Sequence, residues 1–126
     1  SILVDGEGNE ILITPSEHIF HDASQANAVG TEFESNGQYN KMIIQIVRTS
    51  VTTNTLTFNV SLDGINYGYL LGAKVESDGS ITTGVTDTAT SSAIYEFDIT
   101  GYKYIKIPLT NLTGEGATVT VSAVVI

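Results

Sequence analysis

The chain of 126 residues contains no cysteine, no tryptophan, two prolines, one methionine and five basic residues. Each shortage removes a class of explanation. Without cysteine there is neither a disulfide framework nor a thiolate zinc site, so the core alone must hold the fold. The five cations, Lys41, Arg48, Lys74, Lys103 and Lys106, face fourteen acidic residues and leave a net charge of −9. That balance supplies no phosphate-binding footprint, which argues against nucleic acid as a direct partner. An anionic membrane surface is disfavoured for the same reason. No stretch approaches the ~18 apolar residues of a membrane-spanning helix. The opening Ser1-Ile2-Leu3-Val4-Asp5 carries no basic stretch followed by a long apolar run, so no signal peptide is expected there.

Catalytic chemistry is scarce as well. Two histidines, His18 and His21, lie close together between Ser16 and Asp22. No Gly-x-Ser-x-Gly elbow accompanies them. An enzyme needs an activated group and a partner that tunes it, and no such set stands out. Both histidines read as surface or turn residues, and the chain as non-enzymatic with no cofactor or metal. The acidic run Asp5-Gly6-Glu7-Gly8-Asn9-Glu10 lacks the register of an EF-hand calcium loop and reads as a solvated turn.

What is abundant is Thr, Val, Ile and Tyr in alternation. In Thr55–Leu62, Leu56, Phe58, Val60 and Leu62 point one way and Thr55, Thr57, Asn59 and Ser61 the other. A period of two marks a strand with one dry and one wet face. Asp63-Gly64 then turns the chain, and a strand over Tyr67–Val75 is expected next. Lys41–Arg48 is apolar on both faces in its middle, which predicts a central strand. Ala93–Ile99 and Tyr102–Ile107 alternate again, Gly114-Glu115-Gly116 turns, and Ala117–Ile126 closes the chain. Pro108 suggests an edge or a bulge. Ser77–Ser92, rich in Ser, Thr, Gly and Asp, reads as a long exposed loop with room for one short strand. Together these features predict an all-β antiparallel sandwich, jelly-roll-like, with an extended N-terminal segment.

Residues 1–16 form a unit apart from the sandwich of 17–126. Two apolar patches, Ile2, Leu3, Val4 and Ile11, Leu12, Ile13, flank the acidic run. They fit either a first hairpin of the domain's own sheet or an arm that adds to a neighbouring subunit. Among the tyrosines, Tyr67 and Tyr69 are candidate sugar contacts, because a tyrosine joins a flat apolar face to a polar tip.

Three segments carry a family likeness. They are Val60-Ser61-Leu62-Asp63-Gly64-Ile65-Asn66-Tyr67, the run Tyr95–Ile107 around Gly101, and the closing glycine turn with Thr118-Val119-Thr120-Val121-Ser122. Over residues 37–126 this order resembles small β-sandwich modules of tailed-phage virion proteins, of the capsid-decoration or tail-fibre type. The resemblance implies a structural protein that binds the outside of a phage head. Such a protein is assembled in the host cytoplasm, resides in the virion, and is expected to be a homo-oligomer with capsid or other virion protein as partner. On this reading Ile2, Leu3, Val4, Ile11, Leu12 and Ile13 form the subunit or capsid interface. The alternatives are a carbohydrate- or receptor-binding module of a phage tail or cell surface, and a self-assembling coat or filament subunit.

Overall fold

Strict alternation governs the longest strand. From Lys41 to Thr49, Met42, Ile44, Ile46 and Arg48 are buried while Lys41, Gln45, Val47 and Thr49 are exposed. The computed structural model describes the backbone of residues 2–4, 6, 10–12 and 15–126, with side chains from residue 15 onward. Among the described residues every regular element is a strand. The larger sheet runs in the order β10 (Ile81–Gly84), β9 (Gly72–Val75), β12 (Ala93–Asp98), β5 (Lys41–Thr49), β15 (Thr118–Val125) and β3 (Ser16–Ser24). All neighbours in it are antiparallel.

The second layer is built on two long segments. β6 (Thr53–Thr57) pairs with β14 (Leu109–Thr113), and β7 (Asn59–Ser61) pairs with β13 (Tyr104–Lys106). Both pairings share one register: Leu56 faces Leu109, and three residues on Asn59 faces Lys106. The ladder is interrupted where Pro108 has no N–H to give, although Thr57 still donates to the Pro108 carbonyl at 3.1 Å. β8 (Gly68–Tyr69) and β11 (Thr86–Asp87) extend this layer on one side, and β4 (Phe33–Glu34) on the other. Pro108 thus marks a break inside the sheet rather than its edge.

The two layers meet through aromatic rings. Phe58 contacts Tyr95 and Phe97 of β12 at centroid distances of 5.0 and 4.8 Å. Around it pack Met42, Ile44, Ile46, Leu56, Ile105, Ile107, Val119 and Val121, all fully buried. Gly72 is required here, since a Cβ at that position would lie 2.5 Å from the Phe97 ring.

Several expectations are corrected. Tyr67–Val75 is not one strand: the chain crosses between layers at Leu70 and Leu71, separating β8 from β9. Leu62 points outward, because the strand ends at Ser61, whose hydroxyl accepts the Asp63 and Gly64 amides and starts the turn. Ser77–Ser92 is not a free loop. It holds β10 and β11, and its second half is tied into the interior by Asp87. Arg48 Nη2 donates to Asp87 Oδ1 at 2.5 Å, with the two side chains 0% and 2% exposed. The Tyr95 hydroxyl donates to Oδ2, and Lys74 Nζ lies 3.5 Å from it. Arg48 also donates to Asn54 Oδ1 and the Ser91 carbonyl, and Asn54 donates to the Ala89 carbonyl. Burial by itself would raise the Asp87 carboxyl. The Tyr95 hydroxyl and the Arg48 guanidinium outweigh it and hold the carboxyl below its usual range.

The histidines are structural rather than superficial. His21 is 2% exposed; its Nε2 donates to the Ile107 carbonyl at 2.6 Å, and its Nδ1 meets the Ser24 hydroxyl at 3.0 Å. The Ile107 carbonyl lies between the Phe33–Ile105 pairing and the Ala28–Leu109 bridge, and His21 reaches across from the larger sheet to satisfy it. Gly30, at φ 77°, lets the chain pass, since a Cβ there would come within 2.8 Å of the His21 ring. His18 is half-buried, its ring edge-on to Phe20 at 4.6 Å, with Nε2 2.9 Å from the Thr31 hydroxyl.

At the N-terminus, β1 (Ile2–Val4) pairs with β2 (Glu10–Leu12), Ile2 facing Leu12 and Leu3 facing Ile11. This hairpin is a two-stranded sheet of its own and not part of either layer.

Two outcomes follow from these contacts. Arg48→Ala leaves the buried Asp87 carboxylate with the more distant Lys74 as its remaining cation and is expected to cost about 3–5 kcal/mol, read as a lower midpoint in urea unfolding. For His18, burial depresses the pKa below 6.5, more than the Thr31 contact raises it. The unfolded chain therefore binds the proton first, and stability falls as pH drops from 6.5 toward the folded value. Melting curves across that window should show the step in the natural chain and a smaller one in His18→Gln.

Candidate functional site

A sheet has two faces, and among the described residues only one face of each layer is covered. The outward faces differ in chemistry. On the smaller layer, β6 and β14 present Thr53, Thr55, Thr110 and Thr113. Thr53 and Thr113 bring their hydroxyls to 2.6 Å, and Asn111 reaches Thr55 at 3.2 Å. This is an ordinary wetted surface.

The outward face of the six-stranded sheet is richer in aliphatic side chains, with polar residues set among them. Its register places side chains in rows across the strands. One row runs Ile81, Val75, Ile94, Gln45, Ser122, Ile19, and the next runs Thr83, Ala73, Glu96, Ile43, Val124, Glu17. Val47 lies beyond Gln45 on the same side of β5. Val75 is 72% exposed, Ile81 68%, Ile94 58% and Ile19 53%. Two shallow depressions of about 610 and 390 Å³ lie side by side here and share Ile43, Gln45 and Ile94. The charges on this face are few: Lys41 pairs with Glu96, Asp98 lies opposite Lys41 in the register, and Glu17 stands at the β3 edge. Single exposed apolar residues need no explanation, but a contiguous apolar patch marks an interaction surface.

The residues expected from the sequence to carry the site fall elsewhere. Ile2, Leu3, Val4, Ile11 and Leu12 form the terminal hairpin by their backbones, and their side chains lie outside the described residues, as does Ile13 altogether. Tyr67 is occupied. Its hydroxyl donates to Glu32, and Lys106 Nζ sits 3.9 Å from the ring centroid. Burial and the Glu32 contact push that hydroxyl well above its usual range. Tyr69 is 70% exposed and borders a groove with Tyr102, apart from Tyr67. The Asp63 turn is saturated: the carboxylate accepts from Asn66 and Ile65 amides, the Asn66 side chain and the Ser61 hydroxyl, which holds it below the usual range. Among the described residues no three His, Asp or Glu side chains gather as a metal site. The sequence reading missed the aliphatic face, although the two-sided apolarity of Lys41–Arg48 was its signal.

Comparison with known proteins places this fold. A protein of Bacillus subtilis (strain 168) described as uncharacterized protein YqxG is 33% identical over 106 residues, 84% of this chain and 34% of YqxG. The chain therefore spans about a third of that relative's length. Two crystal structures share the architecture. SPBc2 prophage-derived protein YomS superposes with a TM-score of 0.73 at 23% identity, over 93% of this chain and 98% of YomS. PBSX exported protein XepA superposes with a TM-score of 0.79 at 16% identity, over 97% of this chain and 41% of XepA. The family model described as XepA matches residues 14–123, which takes in β3 and β4 as well as the segments that carried the sequence likeness. The chain belongs to the XepA family.

Proposed function

We propose that the chain is a non-enzymatic, phage-derived binding module that works as a subunit of a homo-oligomer and docks on protein through the outer face of its six-stranded sheet. The observation that carries this reading is the contrast between the two outer faces, one of threonine and asparagine, the other of isoleucine and valine. Burying such aliphatic side chains is worth ~25 cal/mol for each Å² removed from water. An acidic protein kept soluble by a net charge of −9 gains by covering this one apolar face. The prophage origin of YomS and the exported state of XepA support a phage-derived protein that acts outside the cell that makes it. The narrower form of the reading is a decoration protein on the outer surface of a phage head, resident in the virion.

Light scattering on the full chain, on Ile94→Asp and on a chain lacking residues 1–14 tests the reading. Ile94 is exposed, so its replacement should cost about 1 kcal/mol or less in stability. The expected result is an oligomer for the full chain, a monomer for Ile94→Asp, and an oligomer still for the truncated chain. A monomeric full chain contradicts the reading; a monomer on truncation alone moves the interface to the N-terminal hairpin. Co-sedimentation with purified phage shells tests the narrower form, which predicts binding to assembled shells by the full chain and not by Ile94→Asp.

A further inference from the structure

At the Tyr69 end of the smaller layer a second surface stands out, reaching the Asp98 end of β12. Tyr69 ends β8 just before the chain crosses between layers, and its ring is largely in solvent. Unlike Tyr67, it has no lysine over its ring. Leu71, also exposed, follows it. Across from them, the Asp98–Gly101 corner brings up Asp98, Thr100 and the half-buried Tyr102. These residues border a groove of about 440 Å³.

The groove's chemistry selects its ligand. No lysine or arginine lines it, and Lys41, opposite Asp98 in the register, is paired with Glu96, so an anionic ligand finds no free counter-charge. The Thr100 side chain and amide hold the Asp98 carboxyl below its usual range, the amide bond to Oδ1 measuring 3.0 Å, so the carboxylate is ionised at neutral pH. A carboxylate accepts strongly from hydroxyl donors. An exposed tyrosine ring offers a flat apolar face beside it. A ligand with C–H bonds on its face and hydroxyls at its rim, and no negative charge, matches both demands. We propose that the Tyr69–Tyr102 groove binds an uncharged pyranose sugar, its ring face on Tyr69 and its hydroxyls donating to Asp98. Tyr69 and Asp98 are the binding residues, Tyr102 is the far wall, and Tyr67 takes no part.

The test is a titration of the full chain with methyl glucoside, methyl galactoside and N-acetylglucosamine, followed by the NMR signals of the tyrosine rings. At least one sugar should shift Tyr69 and Tyr102 and leave Tyr67 in place. Tyr69→Ala should weaken that binding by about tenfold, as loss of one stacked ring implies. Tyr69→Phe should keep most of it, and Asp98→Asn should weaken it. Thr110→Ala, on the threonine face, serves as the control and should bind like the natural chain. Melting curves establish that each variant is folded. No shift with any of the three sugars, or binding that survives Tyr69→Ala unchanged, overturns the proposal. Either result leaves the oligomer reading intact, because the light-scattering mass does not depend on Tyr69.

Discussion

A two-layer sandwich can cover only one face of each sheet, and here the larger sheet carries exposed aliphatic side chains on its outer face as well. Met42, Ile44 and Ile46 of β5 enter the core, while Ile43 and Val47 of the same strand look the other way. The neighbours β12, β9, β10, β15 and β3 add Ile94, Val75, Ile81, Val124 and Ile19 to that outer side. The smaller layer, with its threonine surface, is finished as a soluble object; the larger is not.

The interior makes that outer face a rigid platform. Phe58 locks the layers at their centre, through rings on β12. At the 87–92 end, the Arg48–Asp87 pair ties the chain after β11 to β5, so that the sheet's middle strands cannot shift against each other without exposing buried charge. At the β3 side His21 fastens the larger sheet's edge strand to the Ile107 carbonyl of the other layer. A buried ion pair is weak evidence for added stability, since desolvation offsets much of the attraction. Its effect here is on geometry: Asp87 has four groups around it, and they come together in only one arrangement of the strands.

Much of the architecture was legible in the sequence because period-two alternation is a local signal. Thr55–Val60 and Ala93–Ile99 face as their pattern said, and Ala117–Ile126 holds the last strand. What was not legible depended on distant partners. Asp87 sits in a stretch of threonine, serine and glycine that reads as solvated loop, and its guanidinium partner is 39 residues away. His21 meets a carbonyl 86 residues on, so nothing near it in sequence showed that it is buried. The outer face was hidden for a different reason. Two-sided apolarity in Lys41–Arg48 is the same whether the second face meets more protein in the same chain or stays open, and only the strand order decides. Val75 and Ile81, standing alone among polar neighbours, join Ile94 only once β9 and β10 take their places beside β12.

The central claim is that the outer face of the six-stranded sheet is covered in the assembled protein. Hydroxyl-radical footprinting of the full chain, at concentrations where it is assembled and where it is dilute, reads this directly at the side chains. The account predicts that Val75, Ile81 and Ile94 become protected on assembly while Leu62 and Ile65, exposed at the Asp63 turn, stay reactive. Equal reactivity of Val75, Ile81 and Ile94 in both conditions would contradict it.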